Sequence, residues 1–150
     1  MGYSYQQLTD GDVPLFKELL GVFGDAFGEP DTYRGAVPSD AYLEALLRKP
    51  HVIALAAEEG GRVVGGLVAY VLEKFERERS EIYIYDLAVA EAHRRRGIAT
   101  SLIRALKRVA KGRGAHVVFV QADAGDEAAI RLYESLGSKE DVYQFDFAVD

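Results

Sequence analysis

One stretch constrains this chain more than any other. Residues 81–103, EIYIYDLAVAEAHRRRGIATSLI, begin with the composition of a buried strand, break at a basic turn and resume at helical spacing. Residues 81–89 are rich in Ile, Tyr and Val, which suit a pleated surface. Ile98, Leu102, Ile103, Leu106 and Val109 recur at the period of a helix, and Gly112 and Gly114 are placed to end it. AHVVFVQA (115–122) reads as the next strand. Strand, helix and strand in that order make a βαβ unit, which commits this half of the chain to an α/β fold.

The other segments fit around that unit. Asp12 is placed to cap a helix through Leu15, Phe16, Leu19, Leu20 and Phe23, with Pro14 in its first turn. Residues 24–38 mix Gly, Pro and acids and read as a loop. Ser39 is placed to cap a second helix carrying Tyr42, Leu43, Leu46 and Leu47, with Pro50 beyond its end. HVIALAA (51–57) and RVVGGLVAYVL (62–72) flank a short turn and form a hairpin. Gly65 and Gly66 inside the second strand signal a bulge or a close backbone approach. Asp126 is placed to cap a helix through Ile130, Tyr133 and Leu136 that Gly137 closes, and DVYQFDFAV (141–149) reads as a last strand. A short strand at 3–8 precedes everything. The whole, residues 1–150, reads as one domain with hairpins in front and βαβ behind.

Composition narrows the chemistry. There is no Cys, which excludes disulfides and thiolate chemistry. His51, His93 and His116 have no ligand-like spacing with Asp or Glu, so no metal site is expected. No apolar run approaches the roughly 18 residues of a membrane span. No basic, apolar leader opens the sequence, so a cytoplasmic location is the default expectation. The net charge of -6 disfavours nucleic acid as a partner. That charge is unevenly placed: residues 91–113 carry net +7, residues 121–150 net -6 and the first 90 residues net -7. A basic centre between acidic flanks suits an anionic ligand at the centre and a cationic one elsewhere.

The basic centre has a physical logic. The first amides of a helix have no partner inside it and present a positive dipole end. Gly97 lets phosphate approach that backbone, and Arg94, Arg95 and Arg96 add charge beside it. The spacing is neither that of a Walker loop nor that of a dinucleotide fingerprint. It is Arg94, two residues, Gly97, one residue, Ala99. On these residues the chain resembles the GNAT superfamily of N-acetyltransferases, whose acyl-CoA signature is Gln or Arg, two residues, Gly, one residue, Gly or Ala. Leu87-Ala88-Val89 resembles the strand end that holds pantetheine in that family. Residues 129–137, AIRLYESLG, resemble its later motif, with Asp126 where the family usually has Asn and Ser138 where it usually has Phe. A narrower resemblance, to the type I aminoglycoside 3-N-acetyltransferases, is carried by several runs. They are VIALAA (52–57), AYVLEKFERERSEIYIYDLAV (69–89), HRRRGIAT (93–100), FVQAD (119–123), Gly125-Asp126 and Tyr143-Gln144-Phe145-Asp146.

The resemblance implies a mixed central sheet flanked by helices, with acetyl-CoA held at the splayed end of a central strand. It implies diphosphate binding by Arg94, Arg95, Arg96, Gly97, Ile98, Ala99 and Thr100, and contacts to the rest of acetyl-CoA by Leu87, Ala88 and Val89. It also implies transfer of an acetyl group to an amine of an aminoglycoside. Asp86, the one charged residue in the run Tyr83–Val89, is the candidate base, since burying it there is costly unless it is paired or used. Tyr133 is the candidate acid. Tyr85, Asp123, Asp126 and Asp146 are candidate contacts for a cationic amine, with the loop around Asp25, Glu29, Asp31 and Tyr33 as the opposite wall. Gln144 and Asp146 fall on the polar side of the last strand, opposite Tyr143, Phe145 and Phe147. N-acetylation of polyamines or protein amines, and a non-catalytic acyl-CoA-binding domain, stay open as alternatives, as does a homodimer through the sheet edges.

Overall fold

Six consecutive small or apolar residues, VIALAA, sit at the middle of the molecule and are buried on both sides. They belong to β2 (Val52–Glu59), and their alternation serves two cores at once. Ala54 and Ala56 face one hydrophobic cluster, and Ile53, Leu55 and Ala57 face the other. A strand covered on both faces has no polar face to show, which is why the run is unbroken. The computed structural model describes residues 2–34 and 36–149.

Around β2 a five-stranded sheet runs β1 (Ser4–Gln7), β2, β3 (Arg62–Glu73), β4 (Ser80–Val89), β5 (Ala115–Val120) in spatial order. The first four strands pair antiparallel, and β5 joins β4 in parallel. That parallel pair needs a crossover, and α4 (Ile98–Gly112) supplies it. Ile98, Leu102, Leu106 and Ala110 form its buried stripe on one sheet face. On the other face lie α1 (Val13–Phe27), α2 (Pro30–Arg34) and α3 (Asp40–Arg48), which contribute Phe16, Leu19, Phe23, Leu43 and Leu47. Helix α5 (Glu127–Leu136) follows β5. No helix among the described residues is long and apolar enough to cross a membrane.

Gly66 fixes how closely α1 lies on the sheet. A Cβ there would stand 2.5 Å from the Leu55 carbonyl oxygen and 2.6 Å from Leu19 Cδ1. Sequence and structure agree on this close approach, and a bulge interrupts β2–β3 pairing just beyond it, at Ala57/Glu58. Ser39 caps α3 as expected, its hydroxyl accepting from the Tyr42 amide at 3.1 Å. Three expectations are corrected. Asp12 precedes α1 but its carboxylate turns back to accept from the Thr9 amide and hydroxyl, because the tight turn at 9–12 offers nearer donors than the helix does. The stretch read as loop from 24 contains the last turn of α1 and the whole of α2. Phe27 and Tyr33 pack against Phe23 there, and this aromatic cluster holds the segment. Finally, residues 141–149 form no strand in the protomer, where they neither pair nor pack on the sheet.

Candidate active site

The centre of the sheet opens at one end. Parallel pairing of β4 with β5 stops at Ile84 opposite Val120, while β4 stays paired to β3 as far as Val89. From Tyr85 to Val89 the edge of β4 that faced β5 therefore has no strand partner among the described residues. The register also shifts between β3 and β4, from Val68 opposite Asp86 to Ala69 opposite Ile84, so Tyr85 is the extra residue of a bulge. Bulge and splay together re-aim the strand just where the Asp86 carboxylate sits.

Asp86 lines a cavity of about 260 Å³ closed by α1, α2 and α3 on one side and the sheet on the other. Tyr33, Tyr42, Tyr70, Tyr85 and Phe23 share its wall. The Tyr33 hydroxyl donates to Asp86 Oδ2 at 2.9 Å across 53 residues of sequence. Burial pushes the Asp86 carboxyl above the usual carboxylate range, the Tyr33 hydrogen bond pulls it part of the way back, and Glu29 pushes it up further. Burial and the neighbouring Asp86 carboxylate push the Tyr33 phenol up in turn, which keeps it a donor. Tyr70 and Tyr83 stand edge-on to Tyr85, and Tyr83 stacks on Phe119 with ring centres 4.9 Å apart. A half-buried carboxylate with a raised pKa at the wall of an aromatic cavity is suited to accept a proton near neutral pH.

The basic turn lies next along the chain. Arg95 has φ 63° and Gly97 φ 79°, so two left-handed residues bracket Arg96 before α4 begins. Such alternation turns successive amides to one side and makes a concave anion site. The first helical bond runs from the Ser101 amide to the Gly97 carbonyl, so the amides of Ile98, Ala99 and Thr100 are left outside the helix ladder. Two of the three arginines are tied into the fold. Arg94 Nε donates to the Val89 carbonyl at 3.0 Å, and Arg96 donates to the Tyr3 hydroxyl at 3.1 Å. Tyr3 also bonds His93 Nδ1 at 3.0 Å, so the residue just before β1 buttresses the turn. Arg95 has no hydrogen-bond or ion-pair partner among the described residues and is exposed.

The remaining candidates divide. Ala88 is buried on the α1 side, whereas Leu87 and Val89 are half-buried toward α4. Ile98 is a core side chain, so only its backbone is free to meet a ligand. Tyr133 is half-buried on α5, outside the lining of the Asp86 cavity, and burial raises its phenol, with Asp126 adding to the effect. Asp126 caps α5, its Oδ1 accepting from the Ala129 amide at 3.2 Å. Asp123, Asp126 and Asp146 are exposed, and the protomer does not bring them to Asp86. Of the segment expected as the opposite wall, Tyr33 lines the cavity, with Thr32 beside it, and Glu29 acts on Asp86 through its charge, whereas Asp25, Glu29 and Asp31 are not in the lining. Tyr70 and Tyr42 line the cavity without having been singled out as site residues. Tyr42 gave no signal beyond helical spacing, although it is 61% exposed.

Known proteins share this fold. The chain is 55% identical, over 100% of both chains and with a TM-score of 0.98, to the crystal structure of an aminoglycoside acetyltransferase, HMB0005, from an uncultured soil metagenomic sample. A score that high over the full length means that the C-terminal segment runs the same course in both. A second soil metagenomic aminoglycoside acetyltransferase, meta-AAC0020, solved in complex with sisomicin, is 31% identical over 99% of this chain and 97% of that one, with a TM-score of 0.92. Among curated proteins, the L-methionine sulfoximine/L-methionine sulfone acetyltransferase of Pseudomonas paraeruginosa is 26% identical over 87% of this chain and 78% of its own length. The model of the acetyltransferase (GNAT) family matches residues 16–138. With that match, the splayed β4 and the basic turn before α4, the chain belongs to the GNAT acetyltransferase family.

Proposed function

We propose that this acetyltransferase transfers the acetyl group of acetyl-CoA to an amine of an aminoglycoside, the 3-amino group being the expected position, with Asp86 as the base. The observation that carries the reading is the half-buried Asp86, hydrogen-bonded to Tyr33 at 2.9 Å where β4 parts from β5. The full-length similarity to two soil aminoglycoside acetyltransferases supports the acceptor.

The residues present fit acetyl-CoA. The left-handed pair Arg95 and Gly97, the free amides of residues 98–100 and the exposed Arg95 guanidinium suit a diphosphate. A Cβ at Gly97 would meet nothing within 4 Å, so the approach to that backbone is open. The unpaired edge of β4 at Leu87, Ala88 and Val89 suits an extended amide-bearing arm, which would take the place of β5. Acetyl-CoA, when bound, supplies the acetyl carbon under attack. The chain's own residues do the rest. Asp86 takes a proton from the ammonium form of the acceptor, directly or through water, and leaves a lone pair on nitrogen. A free amide of the 87–89 edge donates to the carbonyl oxygen as charge develops there. Tyr133, whose phenol burial pushes up, donates to the sulfur as the carbon–sulfur bond breaks, and the second proton lost by the attacking nitrogen restores the Tyr133 hydroxyl through solvent. The products are the amide and the CoA thiol. Asp86 returns its proton to solvent.

A cavity of about 260 Å³ holds one amino-sugar ring. The rest of a polycationic acceptor would extend toward the acids outside it. Thiol release from acetyl-CoA across gentamicin, sisomicin, kanamycin, spermidine, a lysine peptide and methionine sulfoximine tests the reading. Turnover highest on the gentamicin-type compounds, with product NMR locating the acetyl group, supports it. Turnover confined to methionine sulfoximine, which the Pseudomonas relative's name puts in the panel, would move the acceptor to a small amino acid.

A further inference from the structure

The basic turn before α4 contains a costly backbone. Arg95, at φ 63°, is the one non-glycine residue with positive φ among the described residues. A left-handed residue that carries a side chain persists only where its surroundings impose it. Here the bonds that impose it belong to its two neighbours. On one side Arg94 Nε donates to the Val89 carbonyl at 3.0 Å, so the strand that has just ended holds it. On the other side Arg96 donates to the Tyr3 hydroxyl at 3.1 Å, its one side-chain hydrogen bond among the described residues. Tyr3 comes from the opposite edge of the sheet, directly before β1. Its ring packs against the core on the α4 side and stands edge-on to His93, with ring centres 5.8 Å apart.

We infer that Tyr3 is a positioning residue for acetyl-CoA, its hydroxyl holding the basic turn in its anion-binding form through Arg96 and His93. The role rests on the acetyl-CoA reading proposed above. Donor accounting orders the contacts. A guanidinium can only donate, so the Tyr3 oxygen accepts from Arg96. The Tyr3 hydrogen then goes to His93 Nδ1 at 3.0 Å, which places the imidazole proton on Nε2 and leaves the ring neutral. Glu59 Oε1 stands 3.9 Å from the same nitrogen, beyond hydrogen-bond distance. The bonds run in one direction, Arg96 to Tyr3 to His93, so each polarises the next. Arg96 spends one N–H on Tyr3 and keeps the others for a phosphate. Fixing the guanidinium and the left-handed turn before the ligand arrives removes an ordering cost from binding. Tyr3 touches no part of the reaction itself and acts through Arg96.

Two measurements test it. The first is the dissociation constant of CoA, by calorimetry, for native protein, Tyr3→Phe, Arg96→Ala and the double variant. Tyr3→Phe keeps the ring and its packing, so the fold is spared, which circular dichroism checks. It is expected to weaken binding about five- to tenfold, the share of one hydrogen bond. The double variant is expected to bind no more weakly than Arg96→Ala alone, because Tyr3 has nothing left to hold. A general loosening of the fold would instead add its loss to that of Arg96→Ala. Unchanged affinity in Tyr3→Phe, or additive losses in the double variant, overturns the role. The second measurement uses no ligand. Imidazole nitrogen NMR of the native chain is expected to show neutral His93 as the Nε2–H form, and a predominant Nδ1–H form overturns the relay. No CoA binding by the native protein, with the Nε2–H form seen, would sink the acetyl-CoA reading and the role of Tyr3 with it.

Discussion

The first 110 residues and the last 40 are built on different terms. Up to Ala110 the chain folds into two cores, one on each face of the sheet, with Leu19, Ile53, Leu67, Leu102 and Leu106 fully enclosed. Beyond Ala110 no described residue is buried, and five of the large apolar side chains are at least 70% exposed. The candidate base, its Tyr33 partner and the basic turn before α4 all belong to the first region. The second region holds the candidate acid and most of the candidate acceptor acids. The difference teaches that the two sets of candidate residues rest on separate supports. The first set stands on an intramolecular core, and the second lies in a region with no buried residue among those described.

That contrast can be broken most sharply by deletion of apolar atoms. Leu106→Ala in the buried stripe of α4 should cost about 2–5 kcal/mol. Phe147→Ala should cost less than about 0.5 kcal/mol in a monomeric background, measured by urea unfolding. Equal costs would mean that the C-terminal segment is part of the protomer's core. A glycine pair sharpens the same point. Gly66→Ala forces a Cβ against the Leu55 backbone at 2.5 Å, and should cost about 1–3 kcal/mol because a carbonyl cannot step aside as a side-chain tip can. Gly137→Ala, with φ -157° and its nearest neighbour at 3.9 Å, should be close to neutral. Gly97→Val places a branched residue at φ 79° in the turn before α4. It should weaken acetyl-CoA binding about tenfold, seen by calorimetry, with a strain of roughly 1–2 kcal/mol in stability.

The smallest effect concerns pH. Activity through Asp86 requires its carboxylate form, so the rate should rise with pH through a pKa above the usual carboxylate range, which burial has raised. The Tyr33 hydrogen bond favours the charged form. Tyr33→Phe removes it, so the acid limb of kcat/KM should move to higher pH. A limb that moves down, or stays fixed, would separate Tyr33 from the base.

Much of the fold was legible because its signals are local. The run 81–89, the helical spacing from Ile98 and the glycines before and after α4 each state their structure within a few residues. The GNAT resemblance lay in the same stretch. Tyr33 lines the cavity, but its bond to Asp86 spans 53 residues and has no periodic trace in a Gly- and Pro-rich segment. Helix α2 has five residues, too few for a period to appear. Asp12 offered a capping side chain, and the nearer Thr9 donors took it. The last strand is the most instructive case. Alternation at 141–149 specifies a strand with one apolar side, but names no partner for it, and the segment pairs with no strand among the described residues. For the same reason Asp146 was named as an acceptor contact and yet lies away from Asp86 in the protomer.

Thiol release from acetyl-CoA with gentamicin, native protein beside Asp86→Asn in one assay, tests the account most directly. The account predicts that Asp86→Asn loses about 10²–10⁴ in turnover, the contribution of a positioned base, while acetyl-CoA affinity is unchanged. Undiminished turnover in Asp86→Asn would contradict it.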